Sequence, residues 1–251
     1  MTRTILLTGA SGKFGRVFLD HLLASEHTVI GTASSQSSLD NIVARHDLGD
    51  KRFNGIVIDL CEANSSRKLI ELLREKKLYP DCLINNARNL KFLETSQSGE
   101  TNRENFLNEY LLDVVVPYEL SMELKSYSSD LSLIVNIGSQ YGSVAANPAL
   151  YMDPRKDSPI HYGVAKAALS QLTKELAVRF ADNGIQVNCI AYGGVEGRAD
   201  DQFKQRYSKM VPMGRMLCED EIVWPLDTLL SKKSGPMTGQ TLNFDGGWTI
   251  W

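Results

Sequence analysis

The chain has 251 residues, with 27 Lys and Arg against 30 Asp and Glu, a formal net charge of −3 with its four histidines neutral. A hydrophobic share of 43% and a charged share of 23% are those of an ordinary folded chain and argue against a largely disordered one. The weak acidity argues against a general nucleic-acid binder, whose affinity needs clustered Lys and Arg on phosphates, and the absence of an apolar run near ~20 residues argues against a bilayer-spanning helix.

Residues 4–8 (TILLT) form a compact apolar run, read as a strand. A helix is predicted over 13–25, where Phe14, Val17, Phe18, Leu22 and Leu23 fall on one side. Strand 28–32 (TVIGT), helix 38–45, strand 55–59 (GIVID) and the amphipathic helix 65–77 follow. Next come strand 82–85 (CLIN), a long helix over 104–125 containing Pro117, and strand 131–137 (LSLIVNI). A long helix over 161–181, strand 185–190 (IQVNCI), a helix over 219–230 and strand 241–244 (TLNF) complete the series. Seven strands, apolar on both faces and alternating with helices, predict a mostly parallel sheet covered on both sides. This is an α/β, doubly wound architecture, and residues 1–251 are read as one domain. The stretch 141–159, with three prolines and mixed charges, reads as a loop beyond the C-terminal end of a strand, where such folds place ligands.

Four cysteines, at 61, 82, 189 and 218, show no Cys-x-x-Cys spacing. They read as reduced thiols in a cytoplasmic protein, with no metal site and no disulfide framework. The opening apolar run is too short for the core of a signal peptide.

Three groups of residues carry chemistry. Gly9, Ser11, Gly12, Lys13, Phe14 and Gly15 lie between the first strand and the first helix. Glycine there lets the backbone turn and approach a diphosphate at a helix N-terminus, although a plain tight turn uses glycine too. The tip of the second strand, through Ser34, has no acid to bind the ribose hydroxyls of NAD. With Lys13 close by, this favours NADP(H) over NAD(H), the plainer alternative being that Lys13 is a solvated lysine. Finally, Tyr162 and Lys166 stand four apart on a predicted helix and so share a face. A phenol beside an ammonium is a usable general acid and base, and the hydroxyl of Ser139, at the end of its strand, can bond a carbonyl oxygen.

These residues fall in an ordered series: TGASGKFG at 8–15, Asp59 and Leu60 after the third strand, NNA at 85–87 and IVNIGS at 134–139. YGVAK at 162–166, GIQVNCIAYGG at 184–194 and TGQTLNFDGG at 238–247 continue it. The series resembles the short-chain dehydrogenase/reductase family over nearly the whole chain. The resemblance implies a Rossmann-type domain that moves hydride between a nicotinamide and a carbonyl or secondary alcohol, a small-molecule substrate. It implies that Tyr162 exchanges the substrate proton, that Lys166 holds the nicotinamide ribose and stabilises the phenolate, and that Ser139 orients the carbonyl. It places Asp59 and Leu60 beside the adenine, Asn86 and Ala87 on the adenosine side, Gly193 in the cofactor turn and Val195 on the carboxamide. It also implies a homodimer or homotetramer built through the two long helices, with neither membrane nor nucleic acid as partner.

The sequence departs from the family pattern at four places. Lys13 stands where the middle glycine of the first turn is usual. Asp113 stands where the family's fourth catalytic residue is an Asn. Arg88 follows NNA in place of glycine; it either favours an anionic substrate or a second phosphate contact, or it faces solvent or a carboxylate. Tyr192 and Gly197 replace the usual proline and threonine, so that Tyr192 is a candidate for the substrate pocket.

The 141–159 insertion and the ending DGGWTIW resemble a subgroup associated with bacterial surface-glycan and flagellar-sugar pathways, whose anionic nucleotide sugars would suit Arg88 and Arg198. The rival readings are a dinucleotide-binding sensor or scaffold with weak or lost catalysis, and a 3-oxoacyl thioester reductase. His21, His27 and His46 are expected at the surface and His161 at a solvent-facing helix start. Trp248 and Trp251 are expected to pack or to meet another subunit, and Met210, Met213 and Met216 to lie in a segment over the pocket.

Overall fold

The computed structural model describes residues 2–45, 52–197, 199–231 and 234–251. His46 and Arg198 lie outside them. Seven strands form one sheet in the order β3-β2-β1-β4-β5-β6-β7, every neighbouring pair parallel. They are β1 Thr4–Leu7, β2 Thr28–Ala33, β3 Phe53–Val57, β4 Cys82–Asn85, β5 Leu133–Ser139, β6 Gln186–Tyr192 and β7 Thr241–Phe244. The helices are α1 Lys13–Ala24, α2 Gln36–Arg45, α3 Ser65–Glu75, α4 Arg103–Tyr110, α5 Val116–Tyr127, α6 Pro154–Asp157, α7 Ile160–Arg179, α8 Asp201–Met210 and α9 Val223–Leu230. This is the doubly wound α/β fold read from the alternation of elements.

The strands are largely apolar on both sides because both faces of the sheet are covered. Ile5, Leu7, Ile84, Val135 and Ile137 point to one core, with Phe18 and Leu22 of α1 and Leu226 and Leu229 of α9. Leu6, Ile30, Leu83 and Ile134 point to the other, with Leu69 and Leu73 of α3, Leu120 and Leu124 of α5 and Leu176 of α7. A third cluster, of Leu150, Tyr207, Val211, Met216 and Trp248, packs α8 against the C-terminal segment. Among the described residues no helix is long and apolar enough to cross a membrane.

Four differences from the sequence reading have physical causes. β3 ends at Val57 rather than at 59, because Asp59 leaves the ladder and its Oδ1 accepts from Cys61 N at 2.9 Å. β5 and β6 run on to pair Ser139 with Tyr192, which carries Ser139 to the sheet edge over the cleft. The helix expected over 104–125 is α4 and α5 joined by one π turn, Leu111–Val115. Pro117, which has no N–H to donate, sits in the first turn of α5 just after it. The helix expected over 219–230 opens with a 3₁₀ turn, Glu219–Ile222, before α9.

α8 was missing from the sequence reading; Asp200 caps it by accepting from Phe203 N at 2.7 Å, and Tyr207 is its buried anchor. His27 and His161 are buried rather than exposed. His27 accepts from Arg3 N at 3.0 Å, and burial lowers its pKa. His161 joins Thr101 Oγ1 at 2.9 Å and the Phe92 carbonyl at 2.6 Å, tying the start of α7 to the segment after β4.

Candidate active site

β2 lies on one side of β1 and β4 on the other, so chain direction across the sheet reverses between β1 and β4. Loops leaving the carboxyl ends of those two strands diverge and open a crevice, the usual ligand site of such sheets. A cavity of about 1160 Å³ occupies it. It runs from Gly9, Ser11, Gly12, Lys13 and Phe14, past Ser34, Asp59, Leu60, Asn86, Ala87 and Arg88, to Ser139, Tyr162, Lys166, Gly193 and Val195. The candidate cofactor and catalytic residues read from the sequence therefore border one space, apart from Gly15, behind the turn, and Asp113, behind Lys166.

The first turn is held by Thr8, which the sequence reading passed over. Its Oγ1 accepts from Asn86 N at 2.9 Å and Ala87 N at 3.0 Å, and Asn86 Nδ2 donates to the Thr8 carbonyl at 2.9 Å. The loops after β1 and β4 are thus pinned to each other. Gly9 has φ +65, and a methyl group there would lie 2.7 Å from Ala87 Cα. One at Gly15 would collide with the Gly9 carbonyl oxygen and come 2.9 Å from Ala10 Cα. Only glycine keeps this turn tight against both the helix start and the neighbouring loop. α1 starts at Lys13 with Gly12 as its N-cap and no side chain bonding its first N–H groups. A bare turn opening a helix N-terminus onto the cavity fits a dinucleotide diphosphate.

Lys13 does not reach towards Ser34. Its Nζ donates to the Glu196 carbonyl and, at 3.4 Å, to that of Val195, and pairs with Glu219 Oε1 at 3.2 Å. The lysine in place of the middle glycine therefore ties the first turn to the segment after β6. Gly197, at φ +107, leaves room for this, since a side chain there would strike Glu219.

At the other end of the cavity, Ser139 closes β5, and its Oγ accepts from Tyr141 N at 3.2 Å. Tyr162 and Lys166 project from the first turns of α7. Lys166 Nζ lies 5.8 Å from the centre of the Tyr162 ring, and Arg88 Cζ lies 4.5 Å from it. Arg88 thus sits over the phenol while its side chain stays exposed to solvent. Lys166 is buried and donates to the Ile137 carbonyl and to Asp113 Oδ1, both at 3.0 Å. Burial, the largest single influence, would lower its pKa, but the charge and hydrogen bond of Asp113 together with the charge of Tyr162 outweigh it and hold the ammonium above its ordinary value.

Asp113, on the π turn, is 3% exposed, and its Oδ2 has no hydrogen-bond partner among the described residues. One turn earlier, Glu109 is 1% exposed, with Oε1 likewise unpartnered. Burial first, and then the charge of Asp113, push the Glu109 carboxyl up to about 7. Glu109 went unnoticed in the sequence, although an acid four residues before Asp113 in an apolar stretch (EYLLD) marks it.

Tyr192 borders the cavity, but its hydroxyl donates to the Ile222 carbonyl at 2.5 Å and its ring packs against Phe14, Phe18 and Phe244. The tyrosine in place of proline is a core residue and offers no hydroxyl to a ligand. Tyr207 of α8, unremarked in the sequence, donates to Gln140 Oε1 at 3.1 Å, accepts from Gly194 N at 2.8 Å and stacks on Trp248 at 4.6 Å. It joins the loops after β5 and β6 at the substrate end, where Tyr141 and Tyr151 share a 2.6 Å hydrogen bond.

A family model described as "Enoyl-(Acyl carrier protein) reductase" matches residues 15–249. A short-chain type dehydrogenase/reductase of Sinorhizobium fredii, named y4vI and described as uncharacterized, is 28% identical over 98% of this chain, which spans 43% of that protein's length. The 3-oxoacyl-[acyl-carrier-protein] reductase FabG of Haemophilus influenzae is 30% identical over 96% of both chains. Among solved structures, a short-chain dehydrogenase of Leptospira borgpetersenii with bound NAD+ superposes with a TM-score of 0.85 at 28% identity, covering 100% of this chain and 94% of that one. The protein belongs to the short-chain dehydrogenase/reductase family and is an oxidoreductase of that family.

Proposed function

We propose that the chain is an NAD(P)(H)-dependent carbonyl reductase or alcohol dehydrogenase that works through Ser139, Tyr162 and Lys166 on a sugar or nucleotide-linked sugar. The observation that carries this reading is the phenol of Tyr162 at the cavity wall, with the Arg88 guanidinium 4.5 Å and the Lys166 ammonium 5.8 Å from its ring centre. Bound at the first turn, the dinucleotide would supply or accept hydride at its nicotinamide ring. Ser139 Oγ would bond the substrate oxygen and fix the carbonyl plane, while the Tyr162 hydroxyl would give that oxygen its proton on reduction and take one on oxidation. Lys166 would stabilise the negative charge developing on the phenolic oxygen, and Asp113 holds its ammonium in place. Arg88, over the Tyr162 ring and open to the cavity, supports an anionic substrate, and a phosphate or carboxylate on a sugar fits that charge. The linked tyrosines Tyr141 and Tyr151 add aromatic, hydrogen-bonding surface suited to a polyol.

NADP(H) is proposed over NAD(H) because the tip of β2, Ala33 to Ser35, has no carboxylate to meet the adenosine ribose. Lys13 adds nothing to that preference, since it faces residues 195, 196 and 219. The four unpaired thiols support a reducing, cytoplasmic setting. Exposed Leu107 of α4 and Ile160 and Val164 of α7 support pairing of two copies through these helices.

A second reading, reduction of a 3-oxoacyl thioester, is favoured by the 30% identity to the Haemophilus influenzae reductase. A substrate panel with NADPH and NADH separates the two. The sugar reading expects turnover of nucleotide-linked or acidic sugars, and loss of that turnover in Arg88→Ala with small neutral ketones still reduced. Turnover confined to 3-oxoacyl thioesters would overturn it in favour of the second. Tight dinucleotide binding with no turnover on any carbonyl would overturn both.

A further inference from the structure

Two departures from the family pattern, Lys13 and Gly197, meet in space. A long cation stands where the first turn usually has glycine, and glycine stands at 197 where threonine is usual. A methyl group at Gly197 would strike Glu219 and come 3.0 Å from Lys13 Nζ. The side chain lost at 197 and the side chain gained at 13 therefore use the same room. Lys13 borders the cavity, yet its three N–H donors face the carbonyls of Val195 and Glu196 and, at 3.2 Å, the Glu219 carboxylate. The ammonium is engaged with the protein and has no donor left over for a ligand. The segment it holds lies at the reactive end. β5 and β6 pair Ser139 with Tyr192, so residues 193–195 leave β6 beside Ser139, and they border the same cavity as Tyr162. Gly194 N donates to the Tyr207 hydroxyl at 2.8 Å, the Gly194 carbonyl accepts from Leu217 N at 2.9 Å, and Glu196 N donates to the Leu217 carbonyl at 2.9 Å. Those partners belong to α8 and the chain that follows it. Lys13 is the group that ties residues 195 and 196 back to the first turn.

We propose that Lys13 is a positioning residue for the nicotinamide half of the dinucleotide, acting through the carbonyls of Val195 and Glu196. The inference rests on the redox reading above, which puts the reactive ring beside Ser139 and Tyr162. The diphosphate and the ring then meet two separate parts of the chain, the first turn and the segment after β6. The tie from Lys13 fixes one against the other. A wall already in place needs no ordering when the ring arrives, so the tie strengthens binding of the ring without touching it. The adenosine side, bordered by Ser34, Asp59 and Leu60, shares no hydrogen bond with Lys13 among the described residues. A lysine at a diphosphate site would ordinarily be read as a phosphate ligand. Here the three acceptors already on its ammonium argue for the tie instead, and the two roles differ in which part of the dinucleotide they serve.

Calorimetric titration tests this without any turnover. Two ligands are compared: the dinucleotide bound more tightly, NADPH or NADH, and its fragment without the nicotinamide ring, 2′-phospho-ADP-ribose or ADP-ribose. The proteins are wild type, Lys13→Met, which keeps the chain without the ammonium, and Lys13→Gly, which restores the usual residue of the turn. Circular dichroism verifies folding. Both variants are expected to bind the dinucleotide about tenfold more weakly, on the order of one charge-assisted hydrogen bond, and the fragment as tightly as wild type does. A general loosening of the fold would weaken both ligands alike, so the split between them is the signature of the tie. Equal loss for dinucleotide and fragment would overturn the proposal, making Lys13 a diphosphate ligand. Unchanged affinity for both in the folded variants would overturn it as well. In either case the dinucleotide still binds wild type and the redox reading stands. A wild type that binds neither ligand would overturn the redox reading and this proposal with it.

Discussion

Replacing Glu109 by Gln should stabilise the protein above neutral pH and leave it unchanged in mild acid, the reverse of the usual expectation for removing a charge. The side chain is 1% exposed, and its carboxyl is raised from 4.5 to about 7 by burial and by Asp113. A carboxyl raised in the folded state contributes stability that is fully present below its unfolded value and is lost as pH rises through the folded one. The window is therefore pH 4.5 to about 7. A shift of roughly 2.5 units at ~1.36 kcal/mol per unit gives on the order of 3 kcal/mol, which needs no discount for solvent in a fully enclosed group. Glutamine mimics the neutral acid, so the variant should match wild type at pH ~4, below the window, and exceed it by about 3 kcal/mol at pH ~8. Urea unfolding of both proteins at the two pH values measures this directly. The difference between the proteins removes His27 and every other group that titrates in the window. A variant equally displaced from wild type at both pH values would refute the reasoning, because the carboxyl would then not be ionising inside the fold.

Asp113→Asn should destabilise the protein by about 3 kcal/mol, the lower end for breaking a buried ion pair, since the amide oxygen can still accept from Lys166. At this chain length that corresponds to a fall in Tm of roughly 6–12 °C in a thermal melt. Gly9→Ala forces a methyl group to 2.7 Å from Ala87 Cα at a φ of +65. It should cost about 1–3 kcal/mol in denaturant unfolding and weaken dinucleotide binding measured by calorimetry. Tyr192→Phe should cost about 1–2 kcal/mol through the lost bond to the Ile222 carbonyl, with turnover unchanged, because that hydroxyl points into the core.

What the sequence discloses divides along a physical line. The order of strands and helices is legible because hydrophobic period and glycine position are local properties, and strands buried on both faces read as unbroken apolar runs. The first turn and the Ser139, Tyr162 and Lys166 set are legible because each lies at the end of such an element. Contacts that depend on side-chain direction are not. Nothing in the order of residues says that Lys13 reaches residues 195, 196 and 219 rather than Ser34, or that Tyr192 turns its hydroxyl into the core. Arg88 is exposed to water, and only the packing of the segment after β4 sets it over the Tyr162 ring as well. α8 did carry a local signal, the i, i+4, i+7 spacing of Phe203, Tyr207 and Met210 behind the Asp200 cap, set among many charges. Glu109 looks like one more helical acid until the fold buries it where the charge of Asp113 is felt.

The most direct test of the account is single-turnover transfer of deuteride from C4-labelled NADPH or NADH to a substrate found in the carbonyl panel, in wild type and in Tyr162→Phe. The account predicts a product carrying deuterium at the former carbonyl carbon in wild type. In the variant it predicts at least ~100-fold slower transfer with dinucleotide affinity retained, as expected when a positioned proton donor is removed. Equal transfer rates in the two proteins would contradict the claim that the Tyr162 phenol beside Arg88 and Lys166 carries the chemistry.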